Sequence, residues 1–209
     1  MVPSFAFIVS AQQTVQIAGI NWIWIRRGSP FLVIMLGGGI YVPGGVLTTG
    51  IGQSAGSIAF FDALQISTAT YLYSDPLWLL EATKWARERG YMRVFGLGYS
   101  AGSVALAHFV TYAPDALDGI ALIALPPYQH AQPESVYKSP VLCIAGSRDQ
   151  TAPVAVSEWF LNRVGSERKR LIVLEADHVG ILVANPNPIG LAGEWFLIAC
   201  VKKVLLGPF

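Results

Sequence analysis

A serine flanked by glycines lies near the middle of the chain, between a predicted strand and a predicted helix. The apolar run at residues 92–97 predicts the strand, Gly98-Tyr99-Ser100-Ala101-Gly102 follows it, and a helical pattern covers residues 101–112. Such a turn strains the backbone of the serine and exposes its hydroxyl, while the glycines leave room for neighbouring elements. The unpaired N–H groups of the new helix would stabilise negative charge beside the hydroxyl. This segment predicts nucleophilic attack by Ser100, and a flexible turn is the alternative.

Two loops further along the chain carry an acid and a histidine, and each follows a predicted strand. Gly146-Ser147-Arg148-Asp149 comes after one apolar run, and Asp177-His178-Val179-Gly180 comes after the next. The carboxyl ends of parallel strands meet at one edge of a sheet, where ligands bind. We therefore expect Ser100, Asp149 and His178 to lie close together.

These three motifs, in this order, resemble those of the α/β-hydrolases, and the resemblance covers roughly residues 31–206. It implies a compact serine esterase with a Ser-His-Asp triad. Ser100 would be the nucleophile, His178 the general base and then acid, and Asp149 the group that orients the imidazole and stabilises its cation. Asp177 is the rival acid, but a residue adjacent to His178 points its side chain elsewhere on most backbones.

The resemblance also implies an oxyanion hole, which in this family takes one donor from the residue after the nucleophile, here Ala101. The segment Leu36-Gly37-Gly38-Gly39-Ile40 resembles the His-Gly-Gly-Gly motif of many esterases, with leucine in place of histidine. That departure bears on the geometry of the loop more than on the chemistry. The expected donors there are Gly38 and Gly39, with Ile40 as the alternative after a one-residue slip, because exposed N–H groups are what a tetrahedral oxyanion requires. A loose turn is the other interpretation of the three glycines.

Strand and helix patterns alternate from residue 31 onward, which predicts a mainly parallel central sheet with helices on both faces. The resemblance implies that this sheet is that of the α/β-hydrolase fold. A chain of 209 residues is expected to form one domain over residues 1–209. The connection at residues 128–140 leaves no room for a large helical cap. The predicted strands cover residues 5–9, 14–25, 31–36, 68–73, 92–97, 119–125, 141–145 and 171–174, and the predicted helices cover residues 57–65, 76–89, 101–112, 154–164 and 194–206.

Charge and hydropathy exclude two classes of partner. A net charge of +1, from 14 basic and 13 acidic residues, gives no electrostatic footprint for nucleic acid, and the basic run at residues 168–170 is expected to be a solvated loop. Residues 28–61 carry no charge, but glycines and prolines interrupt them. Their uninterrupted apolar part, residues 31–36, is far shorter than the roughly 20 residues that a membrane-spanning helix needs.

The two cysteines, Cys143 and Cys200, have no motif spacing. They predict buried thiols in a reducing compartment and hence a cytoplasmic protein. The start of the chain has no basic segment of the kind that opens a secretory signal. The apolar last helix, or an edge strand, could form a homodimer interface.

The substrate pocket is predicted to be open and walled partly by the apolar segment at residues 40–56. Tyr41, Tyr99 and His130 are the expected substrate contacts, and no metal or organic cofactor is implied. We expect hydrolysis of carboxylic esters with small to medium acyl groups, with activity falling in mild acid because His178 must be neutral to act. The alternatives are a thioesterase, a lipase or phospholipase, a serine peptidase, and a non-catalytic hydrolase-like protein that binds a ligand.

Overall fold

A computed structural model describes residues 11–17, 20–26, 30–42, 45–49, 67–71, 76–128 and 134–201. The predicted strand at residues 5–9, the predicted helix at residues 57–65 and the predicted substrate contact His130 lie outside these ranges.

The described ranges contain strands and helices in alternation from residue 67 onward. The strands are β1 (Ala11–Ile17), β2 (Ile20–Arg26), β3 (Phe31–Leu36), β4 (Gly38–Val42), β5 (Gly45–Thr49), β6 (Ser67–Tyr71), β7 (Arg93–Tyr99), β8 (Gly119–Ile123), β9 (Val141–Gly146) and β10 (Lys169–Leu174). The α-helices are α1 (Pro76–Glu88), α2 (Ala101–Tyr112), α3 (Val154–Arg163) and α4 (Pro188–Trp195). Short 3₁₀ helices cover Glu134–Val136 and Gly180–Val183, and a π-helical segment covers Phe196–Val201.

Eight of the described strands form one sheet in the order β1-β2-β6-β3-β7-β8-β9-β10. The strands from β6 to β10 in this order run parallel, whereas β1 and β2 are antiparallel to their neighbours. This confirms the predicted mainly parallel sheet. The carboxyl ends of β7, β9 and β10, where the three predicted catalytic residues follow, lie on the same edge.

The central strands are apolar throughout because both of their faces are covered. Along β3, Leu32 and Ile34 pack in a cluster with α1, α2 and α3, whereas Val33 and Met35 pack in a second cluster with α4. Helices therefore cover both faces of the sheet, as predicted. Between β8 and β9 the described residues hold only a 3₁₀ turn, and no large cap is present among them.

An acidic side chain joins α1, β7 and the turn before β8 at the opposite edge of the sheet. Asp118, in the turn before β8, accepts hydrogen bonds from Arg87 of α1 and Arg93 of β7, each at 2.6 Å. It also accepts from the N–H of Val94 at 2.8 Å. This carboxylate ties helix, strand and turn together away from the edge that carries the predicted site.

Three predictions about strands and loops need correction. The single strand predicted at residues 14–25 is two strands, β1 and β2, which pair antiparallel with Ile17 opposite Ile20. Within the glycine-rich segment, predicted as a loop, residues 38–42 and 45–49 form the antiparallel strands β4 and β5. In the basic run at residues 168–170, Lys169 and Arg170 begin β10, although both stay exposed as expected.

The last helix begins at Pro188, six residues before the predicted start. Asn187 caps it, because its side-chain oxygen accepts from the N–H groups of Ile189 at 2.9 Å and Gly190 at 3.1 Å. None of the helices in the described ranges is long and apolar enough to cross a membrane.

Candidate active site

The junction of β7 and α2 holds Ser100 in a strained conformation. Its φ of 52° and ψ of −116° lie where only glycine is comfortable. The Ser100 N–H donates to the carbonyl of Ile123 on β8 at 3.0 Å, and the Ser100 carbonyl accepts from the N–H groups of Ser103 and Val104 at 2.9 and 3.2 Å. The turn that the sequence predicts is therefore fixed both by the neighbouring strand and by the first turn of α2.

Both glycines of the motif sit where a side chain would collide with main chain. A Cβ on Gly98 would lie 2.6 Å from the carbonyl carbon of Gly102. A Cβ on Gly102 would lie 2.8 Å from the carbonyl oxygen of Gly37, and closer still to that of Leu36. The start of α2 thus packs directly on the end of β3, which brings the glycine-rich segment next to Ser100.

The imidazole of His178 lies between Ser100 and Asp149. Its Nε2 is 2.9 Å from the Ser100 Oγ, and its Nδ1 is 2.8 Å from the Asp149 Oδ2. A carboxylate can only accept, so Nδ1 carries the ring proton and Nε2 is left to accept from the serine hydroxyl. The carboxylate is fully buried and the imidazole side chain is 20% exposed. This geometry can remove a proton from Ser100 and stabilise the resulting cation.

The two oxygens of Asp149 have separate partners. Oδ1 accepts from the main-chain N–H groups of Thr151 at 2.9 Å and Ala152 at 2.7 Å, while Oδ2 faces His178. A buried carboxylate is costly unless it is hydrogen-bonded, and here the loop before α3 supplies the donors. The same bonds fix the orientation of the carboxylate toward the imidazole.

The loops that carry the acid and the histidine are joined through their main chains. The N–H of Ser147 donates to the carbonyl of Leu174 at 2.8 Å, and that of Arg148 donates to the carbonyl of Ala176 at 3.0 Å. The absence of a side chain at Gly146 allows the two loops to approach this closely, because a Cβ there would collide with the carbonyl of Ala176. The parallel pairing of β9 and β10 therefore continues into the loops that position Asp149 and His178.

Asp177, the rival acid, is engaged by its own loop. Its Oδ1 accepts from the N–H of Gly180 at 2.7 Å, and its carbonyl accepts from the N–H of Ile181 at 3.1 Å. The side chain is thus bound to the first residue of the 3₁₀ helix that follows, and local bonds of this kind are common for aspartate. It is Asp149, not Asp177, that contacts the imidazole of His178.

Tyr99 lies beneath the histidine loop. The residue is 4% exposed, and its hydroxyl donates to the main-chain carbonyl of His178 at 2.8 Å. Its ring centroid is 5.5 Å from that of the imidazole. Burial, and then the nearby carboxylates of Asp149 and Asp177, raise the pKa of Tyr99 to about 12. The sequence predicted a substrate contact and could not indicate this bond, because the partner is 79 residues away along the chain.

The positions of the remaining predicted site residues follow from the strands and helices that contain them. Ala101 is the first residue of α2, where its N–H has no intrahelical acceptor. Gly38 and Gly39 begin β4 and pair with threonines of β5, so the predicted donor segment is a strand near the Ser100 turn instead of a loose turn. Tyr41 belongs to the same strand, and His130 lies outside the described residues.

No metal-binding cluster of three or more His, Cys, Asp and Glu side chains exists among the residues that the structure describes. Cys143 is a buried free thiol in β9, and burial raises its pKa well above the ordinary value.

Comparison with solved structures identifies the fold. The esterase Pf2001 of Pyrococcus furiosus superposes with a TM-score of 0.73 at 16% identity, covering 91% of this chain and 94% of the other. A serine hydrolase involved in carbazole degradation, CarC, gives 0.68 at 12% identity, covering 90% and 99%. A membrane phospholipase A described as a bacterial virulence factor gives 0.65 at 13%, covering 92% and 87%.

The chain therefore has the α/β-hydrolase fold, and the solved structures that it resembles include esterases and serine hydrolases. No model of a protein family matches the sequence, and no curated protein matches it either. With identities of 12 to 16%, these similarities establish the fold, and the chemistry of the site has to be argued from its own residues.

Proposed function

We propose that the protein is a serine hydrolase that cleaves carboxylic esters through an acyl-enzyme on Ser100. The observation that carries this proposal is the imidazole of His178, which lies 2.9 Å from the Ser100 Oγ and 2.8 Å from the Asp149 carboxylate. The strained backbone of Ser100 adds support, because strain of this kind at a strand-to-helix turn exposes a nucleophile.

The reaction would proceed in two halves. As the Ser100 Oγ attacks the ester carbonyl, His178 takes the hydroxyl proton, and the resulting imidazolium is stabilised by Asp149. His178 then returns the proton to the departing alcohol as the carbon–oxygen bond breaks. Water, deprotonated by the same imidazole, attacks the acyl-enzyme, and the proton finally returns to Ser100 as the acid is released.

Negative charge on the carbonyl oxygen would be held by main-chain donors. The N–H of Ala101 is available at the start of α2, where the helix dipole also favours an anion. Gly38 or Gly39 would supply the second donor from β4, which follows directly on the Leu36–Gly37 contact with α2. The proximity of Gly38 and Gly39 to the turn at Ser100 supports this assignment.

Small to medium acyl groups are the proposed substrates. The short connection between β8 and β9, with no large cap among its described residues, favours an open pocket. A lipase or phospholipase is the second candidate, supported by the likeness to a phospholipase A. A series of p-nitrophenyl esters from acetate to palmitate separates the two. Highest kcat/KM for short chains fits the proposal, whereas a maximum at long chains with activation by lipid interfaces favours the second candidate.

The direct test of the function is Ser100→Ala with p-nitrophenyl butyrate as substrate. We expect turnover to fall by more than about 10³-fold and labelling by a fluorophosphonate probe to be lost. Ser147→Ala is the matched control, because Ser147 is an exposed serine of the acid loop that contributes its main-chain N–H. A Ser100→Ala protein that hydrolyses the ester at the wild-type rate would overturn the proposal.

The proposed partner is a small-molecule ester, and neither nucleic acid nor a cofactor is proposed. The chain is proposed to form a single domain, with a homodimer as a further proposal. The buried thiol of Cys143 fits a cytoplasmic, reducing location.

A further inference from the structure

The main chain at His178 is anchored by a side chain that no step of the proposed reaction uses. Tyr99 is the last residue of β7, directly before Ser100, and its side chain points to the face of the sheet that α4 covers. From there the hydroxyl reaches the His178 carbonyl at 2.8 Å, and the ring packs 5.5 Å from the imidazole. One buried side chain therefore contacts both the main chain and the ring of the histidine.

The neighbours of His178 in its loop are held by other bonds. The carbonyl of Ala176 accepts from Arg148, and the carbonyl of Asp177 accepts from Ile181. Tyr99 supplies the bond at His178 itself, and it does so from the end of β7, directly before the nucleophile. A movement of the histidine loop relative to Ser100 would have to break this bond.

The Tyr99 hydroxyl remains a donor throughout the pH range in which an esterase would work. Burial and the carboxylates of Asp149 and Asp177 hold its pKa at about 12, so the phenol stays neutral at physiological pH. A phenolate could not donate to a carbonyl, and the anchor would be lost.

We propose that Tyr99 is a positioning residue: its hydroxyl fixes the main chain at His178, so that the imidazole stays within hydrogen-bond distance of Ser100 and Asp149 together. The proposal rests on the function proposed above. It replaces the substrate contact that the sequence predicted for Tyr99 with a contact inside the protein.

The test compares Tyr99→Phe with Tyr137→Phe. The first variant removes the hydroxyl and keeps the ring that packs on the imidazole, so the fold is expected to persist. The second removes another buried tyrosine hydroxyl, one that donates to the main-chain carbonyl of Leu117 at 3.4 Å and belongs to the opposite face of the sheet. Melting temperatures of both variants measure how much stability each substitution costs.

For Tyr99→Phe we expect kcat on p-nitrophenyl butyrate to fall about 5- to 10-fold, as loss of one hydrogen bond predicts, with KM changed by less than about twofold. The low-field proton resonance of the His178–Asp149 hydrogen bond should weaken and exchange faster with water. Tyr137→Phe should leave both the resonance and kcat as in the wild type. A purely structural role for Tyr99 would lower the melting temperature without moving either signal.

Three results would overturn the proposal: an unchanged kcat and resonance in Tyr99→Phe, a rise in KM at constant kcat, or an equal loss of kcat in Tyr137→Phe. The rise in KM at constant kcat would mean that Tyr99 contacts the substrate, as the sequence predicted. Failure of the proposed function is recognised separately, because the wild-type protein would then show neither ester turnover nor labelling of Ser100.

Discussion

Replacing Asp149 with asparagine tests the arrangement around His178 most sharply, because the structure dictates how the amide must turn. Its oxygen would stay with the N–H groups of Thr151 and Ala152, which leaves the amide NH₂ facing the imidazole Nδ1. Nδ1 must then accept, the ring proton moves to Nε2, and the ring can no longer take the proton of Ser100.

The magnitude follows from the cost of the opposite rotamer. Turning the amide around would leave two N–H groups facing NH₂, at about 1–3 kcal/mol for that of the buried Ala152 and about 0.5–1.5 kcal/mol for that of the more exposed Thr151. Productive orientations are thus disfavoured by about 1.5–4.5 kcal/mol, or about 10- to 2 × 10³-fold. Loss of the charge that stabilises the imidazolium adds to this penalty. We expect kcat/KM of Asp149→Asn to fall about 10³- to 10⁴-fold.

The assay is initial-rate hydrolysis of p-nitrophenyl butyrate, with thermal unfolding to confirm that the variant is folded. Asp177→Asn is the matched control, since an asparagine there still accepts from the N–H of Gly180, and we expect its kcat/KM to stay within about threefold of the wild type. An Asp149→Asn protein within tenfold of wild type, or an Asp177→Asn protein that loses as much activity, would refute the reasoning.

Three further predictions concern stability. Gly102→Ala sets a methyl group 2.8 Å from the Gly37 carbonyl oxygen, so we expect a loss of about 2–4 kcal/mol in the free energy of unfolding by urea. A loss under about 0.5 kcal/mol would contradict the close packing of α2 on β3. Asp118→Ala removes the acceptor of two partly exposed arginines and should cost about 1–2 kcal/mol, which unchanged urea unfolding would disprove. Because the native state raises the pKa of Tyr99 from 10.0 to about 12, the stability from its protonated form is complete below pH 10 and is lost as the pH rises through 12. Between pH 8 and pH 11 the wild type should lose about 1.4 kcal/mol more than Tyr99→Phe, and equal losses in urea titrations would contradict the raised pKa.

The sheet and the convergence of the three side chains could be predicted because they depend on local patterns. Continuous apolar runs identify strands that are buried on both faces, and parallel strands place the loops of Asp149 and His178 at the same edge as Ser100. The order of the motifs along the chain added the family resemblance. No long-range contact had to be guessed for this part of the prediction.

Other features depend on contacts that a sequence pattern does not reveal. Strands β1 and β2 lie within one apolar stretch, so the stretch resembled a single strand, and the glycines of β4 gave no sign that this segment pairs with β5. The start of α4 carried a readable signal, Asn187 followed by Pro188, which is typical of a capped helix. The bond from Tyr99 to His178 carried none, because only the fold brings these residues together.

The acid loop and the histidine loop are joined mainly by backbone amides and carbonyls, from Ser147 to Leu174 and from Arg148 to Ala176, and the exposed Arg148 side chain adds bonds to Glu175. Every residue except proline offers the same main-chain groups, so drift in the sequence of these loops leaves the main-chain bonds intact even where the Arg148–Glu175 contact is lost, as long as Gly146 keeps its place. A mutational library that varies the exposed side chains of both loops should therefore alter selectivity and surface charge while the spacing between carboxylate and imidazole persists.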